Sequence, residues 1–163
     1  MPAGSTYTPI ATTTLGSNVA SYTFTSISGS YTDLILVITG TTTTNGINYW
    51  LQFNSDTGSN YSYTILLGDG SSATSGRSTS QTKWRVANNS SSTNTTPTIV
   101  QIQNYSNTTT YKTGLARFGD ASYGTWANVG LWRSTSAITS ITVSSDTNLA
   151  SGSIYTLYGI ASA

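Results

Sequence analysis

The sequence predicts an all-β fold, an antiparallel two-sheet β-sandwich of jelly-roll-like form. Three observations predict it. Apolar residues recur with period two between clusters of Asn, Asp, Gly and Ser, which is the mark of strands whose successive side chains point to opposite faces. No segment carries the 3.6-residue apolar period of an amphipathic helix. Turn signals arrive at nearly regular intervals from end to end, and no internal repeat of propeller or solenoid length accompanies them. Composition agrees, because Thr and the eleven Tyr favour strands and Ser favours turns.

Residues 1–18 are small and polar, with Tyr7, Ile10 and Leu15 as their large apolar side chains. They read either as a first edge strand, Tyr7 to Leu15, or as an N-terminal arm that orders on a partner. Pro9 lacks an N–H and suits an edge or an arm better than a central strand. Residues 19–163 read as a single sandwich domain, a size that can bury one core. Ala20, Tyr22 and Phe24 alternate in the next strand, which ends at Ile27. Leu34-Ile35-Leu36-Val37-Ile38 is a continuous apolar run, the pattern of a strand buried on both faces.

The clearest hairpin follows. Ile47, Tyr49, Leu51 and Phe53 share one face of a strand, and Tyr61, Tyr63, Ile65 and Leu67 share one face of the next, with a polar connection between. Gly68 to Ala73 reads as a loop. Strands are expected around Thr82–Val86, Ile99–Ile102, Thr110–Phe118, Thr125–Trp132, Ala137–Val143 and Ile154–Ile160, about ten in all.

The residues limit the chemistry. Only 7% of them are charged, against roughly 25% in an ordinary globular chain. Six Lys plus Arg against five Asp give a formal charge of +1, which offers no electrostatic reason to bind nucleic acid or an anionic membrane. His, Cys and Glu are absent, so no Ser-His-Asp or Cys-His arrangement and no disulfide can form. The acids are Asp33, Asp56, Asp69, Asp120 and Asp146, most of them in turn contexts where Asp bonds its own backbone. A Ser–Lys pair built on Lys83 or Lys112 has no local support. The expectation is therefore a non-enzyme without cofactor, catalytic residue or metal. The oxygen-rich loop Asn54 to Asn60 raises the question of an ion at Asn54 and Asp56, but it lacks the distal Glu of the usual calcium loop.

Among the aromatics, Trp50 lies out of phase with Ile47, Tyr49, Leu51 and Phe53, and Trp126 and Trp132 lie out of phase with Val129 and Leu131. These three are the candidates for surface recognition, against packing in the core or on a neighbouring copy. The start Met1 to Thr6 lacks the basic and apolar regions of a signal peptide. That fits assembly into a particle from a cytoplasm, with a secreted protein as the competitor.

Read whole, the chain resembles small virion structural proteins of tailed bacteriophages, of the cyanophage and marine-phage type. The matching phrases include Tyr7-Thr8-Pro9-Ile10, Tyr31-Thr32-Asp33-Leu34, Phe53-Asn54-Ser55-Asp56-Thr57-Gly58, Gly68-Asp69-Gly70-Ser71, Val129-Gly130-Leu131-Trp132 and Tyr155-Thr156-Leu157-Tyr158. The resemblance implies a virion location and binding to the major capsid protein or other virion proteins, while the charge balance leaves no nucleic acid and no membrane as expected partner. Decoration (cement) of the capsid shell is the first placement it implies. A tail-fibre or receptor-binding module for a host glycan or protein is the second, and a secreted carbohydrate-binding module unrelated to phage is the remaining class. A homo-oligomer, with a trimer as one form, is expected from virion symmetry. If the chain decorates a shell, Met1–Leu15 is expected to dock through Tyr7, Ile10 and Leu15.

Overall fold

A computed structural model describes residues 6–161, apart from the side chains of Asn89 and Ser90. It contains twelve strands and, among the described residues, no helix. In chain order they are β1 (Tyr7–Thr14), β2 (Val19–Phe24), β3 (Asp33–Gly40), β4 (Ile47–Phe53), β5 (Tyr61–Gly68) and β6 (Ala73–Gln81). The second half adds β7 (Trp84–Ser90), β8 (Thr96–Gln103), β9 (Lys112–Asp120), β10 (Gly124–Trp132), β11 (Ile141–Leu149) and β12 (Ile154–Ile160). Eight strands form one sheet in the order β1-β12-β3-β8-β9-β10-β5-β6, and four form the other in the order β2-β11-β4-β7. Every neighbouring pair is antiparallel.

The pairing is nested. β1 pairs β12, β2 pairs β11 and β5 pairs β10, so the N-terminal half is wound against the C-terminal half in the manner of a jelly roll. The fold is the antiparallel two-sheet sandwich expected from the sequence.

The core lies between the sheets, because each inner face carries the buried half of an alternating pattern. From the large sheet come Leu34, Leu36 and Ile38 of β3, Val100 and Ile102 of β8, and Tyr155 and Leu157 of β12. From the small sheet come Tyr49, Leu51 and Phe53 of β4, and Ile141 and Val143 of β11. Trp84 of β7 locks the two layers together. Its indole lies over Gly114 of β9 and Gly130 of β10, where a Cβ would collide with the ring, and its Nε1 donates to Asn128 Oδ1 at 2.9 Å.

Several expectations are corrected here. β6 is not among the expected strands, because its sequence Ala-Thr-Ser-Gly-Arg-Ser-Thr-Ser-Gln contains no large apolar residue; it forms by pairing with β5 at the edge of the large sheet, and the expected loop Gly68 to Ala73 is the turn that leads into it. The expected strand Ala137–Val143 begins only at Ile141. Residues 137–140 are held as a loop by Asn54, whose Oδ1 accepts from the N–H groups of Thr139 and Ser140 and whose Nδ2 donates to Ala137 O. In β3 the outward side chains are Ile35, which is buried, and Val37, which is only half-buried. The run therefore has one covered face and one that opens on a groove.

Candidate functional site

The outer face of the large sheet carries a groove of about 780 Å³. Two rows of outward side chains cross the strands to form it. One runs Tyr158, Ile35, Gln101, Leu115, Val129, Thr64, each paired in register with the next. The other runs Val37, Ile99, Arg117, Ala127, Leu66, Ser75 in the same way. Tyr7 of β1 closes one end, its ring meeting Tyr158 edge-on at 6.1 Å. Four of the most exposed large apolar side chains of the described residues, Tyr7, Leu66, Leu115 and Val129, line this groove. Its single charged lining residue is Arg117. The nearest outward acid in register terms, Asp33 at the end of β3, is engaged by Asn104 N at 2.9 Å and by Gln101 Nε2 at 3.4 Å.

A second, smaller depression of about 240 Å³ lies outside the small sheet, lined by Trp50, Gln81, Thr82, Lys83 and Asp146. Trp50 Nε1 donates to Asp146 Oδ1 at 2.6 Å, and Asn48 Nδ2 donates to Asp146 Oδ2 at 2.8 Å. The indole is half-buried, with one edge against Tyr63.

Of the three tryptophan candidates, only Trp50 keeps an accessible ring. Trp126 and Trp132 are 4% and 3% exposed and belong to the core, so neither can serve surface recognition in this fold. Their phase was read correctly and their face was not: β10 turns Trp126, Asn128, Gly130 and Trp132 inward, and Val129 outward. Inward placement gives each indole a packing partner. Trp132 stacks on Tyr61 and donates to Asp56 Oδ2, while Trp126 lies under the Arg85 guanidinium at 5.1 Å.

Of the proposed anchors, Leu15 is 6% exposed and packs in the core, so it cannot reach a partner. Ile10 is half-buried against the core and Tyr7 is 54% exposed. From Tyr7 onward the supposed arm is the edge strand β1, paired with β12 along its length; residues 1–5 lie outside the described residues.

Each carboxylate is occupied by donors, and no two share one among the described residues. Asp69 Oδ1 accepts from Ser71 N and Ser72 N, and these backbone bonds pull its carboxyl down to about 2. Asp120 accepts from the Ser122 hydroxyl and N–H, which lower it as well. Partial burial pushes Asp56 up, but bonds from Trp132, Asn60 and the Gly58 N–H outweigh it and hold the group below its usual range. Asp56 and Asn54 thus spend their oxygens on different parts of the chain, and the described residues contain no cluster of acids able to hold a metal. Lys112 is buried, which lowers its pKa, and its Nζ bonds the carbonyls of Thr110 and Thr135, so it activates no hydroxyl. The arrangement offers apolar contact and single polar anchors.

No protein-family model matches the chain, and no curated protein matches it. Among solved structures, a galectin of Caenorhabditis elegans (LEC-6) is similar at 9% identity and a TM-score of 0.38, over 93% of this chain and 96% of that one. The Scytalido-glutamic peptidase matches at 10% identity and a TM-score of 0.32, over 90% of this chain and 66% of its own. The alginate lyase Aly36B matches at 9% identity and a TM-score of 0.33, over 91% and 77%. Likenesses this loose bring no site and no activity with them.

Proposed function

We propose that this protein is a non-enzymatic structural subunit of a phage virion, decorating the capsid shell and held among its neighbours by strand pairing at β6. The observation that carries the reading is the edge itself. From Ala73 to Ser78, β6 stays in uninterrupted register with β5, and it contains no proline and no large apolar residue. Its free side is a row of backbone donors and acceptors ready to pair with another chain. The opposite edge, β1, is interrupted by Pro9 and a bulge between Pro9 and Ala11, and β7 breaks register twice against β4. Edges blunted in this way resist pairing. The resemblance to virion structural proteins supplies the setting, and the small net charge lets many copies sit side by side without strong repulsion.

Quantitative mass spectrometry of purified particles tests the placement, as a ratio to the major capsid protein. Shell decoration expects a ratio between about a third and one; a few copies to a few dozen would place the chain on the tail, and absence from particles would sink the reading. The edge is tested by Thr74→Lys, at an exposed position on the inward-pointing side of β6. A lysine there opposes edge pairing while leaving the sandwich folded. Particle binding should fall, and unchanged binding would remove β6 from the interface.

A specific observation supports a second reading, a receptor-binding module. The depression at Trp50 combines an accessible indole with the Lys83, Gln81 and Asp146 side chains, an aromatic platform rimmed by polar groups that suits a sugar. Trp50→Ala should then abolish host adsorption without changing copy number on the particle.

A further inference from the structure

We infer that the groove on the outer face of the large sheet is a binding site for a long-chain carboxylate, with the head on Arg117 and the chain running toward β1. The site is independent of the β6 edge and of any virion role.

Size comes first. A groove of about 780 Å³ lies in the range of small-ligand sites, and those sites are mostly apolar with a few placed polar groups. Its floor is two side-chain rows, a strip of roughly 34 by 12 Å and so on the order of 400 Å². A stable protein interface takes ~800 Å² from each partner, so the strip is too slender for a second subunit. A second copy face to face would also press its own Arg117 against an apolar strip that offers no acid, and burying an unpaired charge is costly. The occupant is therefore narrow, apolar and negatively charged once.

Charge fixes the head. Arg117 is the only charged lining residue and is exposed. Among the described residues it bonds no carboxylate, because Asp33 is taken by Asn104 and Gln101. A guanidinium offers paired N–H groups in a plane, the geometry that a carboxylate accepts two bonds from. Flanked by Ile99 and Ala127 in its row, the ion pair would be shielded from water on two sides.

Direction follows from the strand order. From β9 to β1 there are four strand spacings, about 19 Å. This wing is floored by Ile99, Val37 and Ile35 and ends at the Tyr7–Tyr158 ring pair. The wing toward β6 spans three spacings, about 14 Å, carries Ala127, Val129 and Leu66, and ends in the hydroxyls of Thr64 and Ser75, with Arg77 of β6 across from Thr64. The first wing is the longer and ends in aromatic rings rather than in hydroxyls and a second cation, which favours it for the far end of an alkyl chain.

The test is calorimetric titration of the purified protein with dodecanoate, dodecanol and dodecyltrimethylammonium, each kept below its micellar concentration. Dodecanoate should bind once per chain and at least ten-fold tighter than the other two. Arg117→Gln, at an exposed position, should remove that preference, and Val37→Ser should weaken all three ligands. Amide chemical shifts should move at Arg117, Ile99 and Tyr158. Equal affinity for the three head groups, or full dodecanoate binding by Arg117→Gln, would overturn the assignment. So would partition onto phosphatidylglycerol vesicles without binding of monomeric dodecanoate, since the face would then be a membrane-contact surface.

Discussion

Trp84 sets the tightest tolerance in the molecule. Its ring rests on the bare backbone of Gly114 and Gly130, and its N–H is answered by Asn128. Gly130→Ala places a methyl group inside the indole, and overpacking of this kind costs typically about 1–3 kcal/mol, so the urea midpoint should fall by a corresponding amount. Trp84→Phe leaves room but strands the Asn128 oxygen, and should also destabilise. Asp69 gives a pH prediction. Its folded pKa of about 2 lies below the ordinary 3.8, so its contribution to stability is present above the ordinary value and is lost as pH falls through about 2. Carboxyl chemical shifts followed between pH 1 and 5 should place the Asp69 midpoint near 2, and a midpoint at the ordinary 3.8 would sink the prediction. Residue identity could reveal that β10 alternates, but not which face is inner. Val129 and Leu131 argue for one face and Trp126 and Trp132 for the other, and the deciding fact is a tryptophan over forty positions earlier that needs two glycines beneath it.

β1 shows how an element acquires its role from its neighbours. Its eight residues hold little apolar area, yet β12 supplies a full partner, and Leu15 at its end enters the core while exchanging backbone bonds with Gly152 and Ser153. Removing residues 1–15 therefore uncovers a new sheet edge and vacates a buried leucine, a loss for which ~3 kcal/mol is the expected scale from the side chain alone. Denaturant unfolding should show a clearly lower midpoint, in contrast to the folded truncation that a free arm would give. β6 was invisible for the complementary reason: with only Ser, Thr, Gly, Ala, Gln and Arg, it has no apolar alternation to read, and its strand state is imposed by β5. Strong alternation, as in β4 and β12, was legible because those strands bury one face against the core.

At the scale of the molecule, three of the six Lys and Arg side chains are answered by neutral groups. Arg85 covers the rings of Tyr63 and Trp126, Arg133 bonds Ser59 O and Ser62 Oγ, and Lys112 bonds two carbonyls. Hydroxyl pairs such as Thr12–Thr156 and Thr23–Thr142 take the cross-strand positions where charges often sit. Stability should therefore respond weakly to salt: moving from about 0.02 to about 0.2 M sodium chloride, where screening removes most exposed ion-pair energy, should leave the thermal midpoint nearly unchanged. The sandwich class, the absence of helix and the scarcity of charge were open in the composition. The eight-to-four division of strands was not, because period two says that a strand is half-buried without saying which sheet holds it. Nor was the groove, whose two rows draw on seven strands and assemble only through register.

The nested winding also sets a timetable. β12, the last of the twelve described strands in chain order, is the partner of β1, the first of them, and it separates β1 from β3 in the sheet. Until β12 has emerged from the ribosome, the Leu34–Ile38 run can have β8 on one side but keeps an open flank on the other. A nascent chain of this fold keeps its most apolar strand half-sheathed from the emergence of β8 to that of β12, exposed to capture by chaperones or by another nascent chain. Docking of β12 between β1 and β3, rather than formation of any early hairpin, is the step that commits it to the native state.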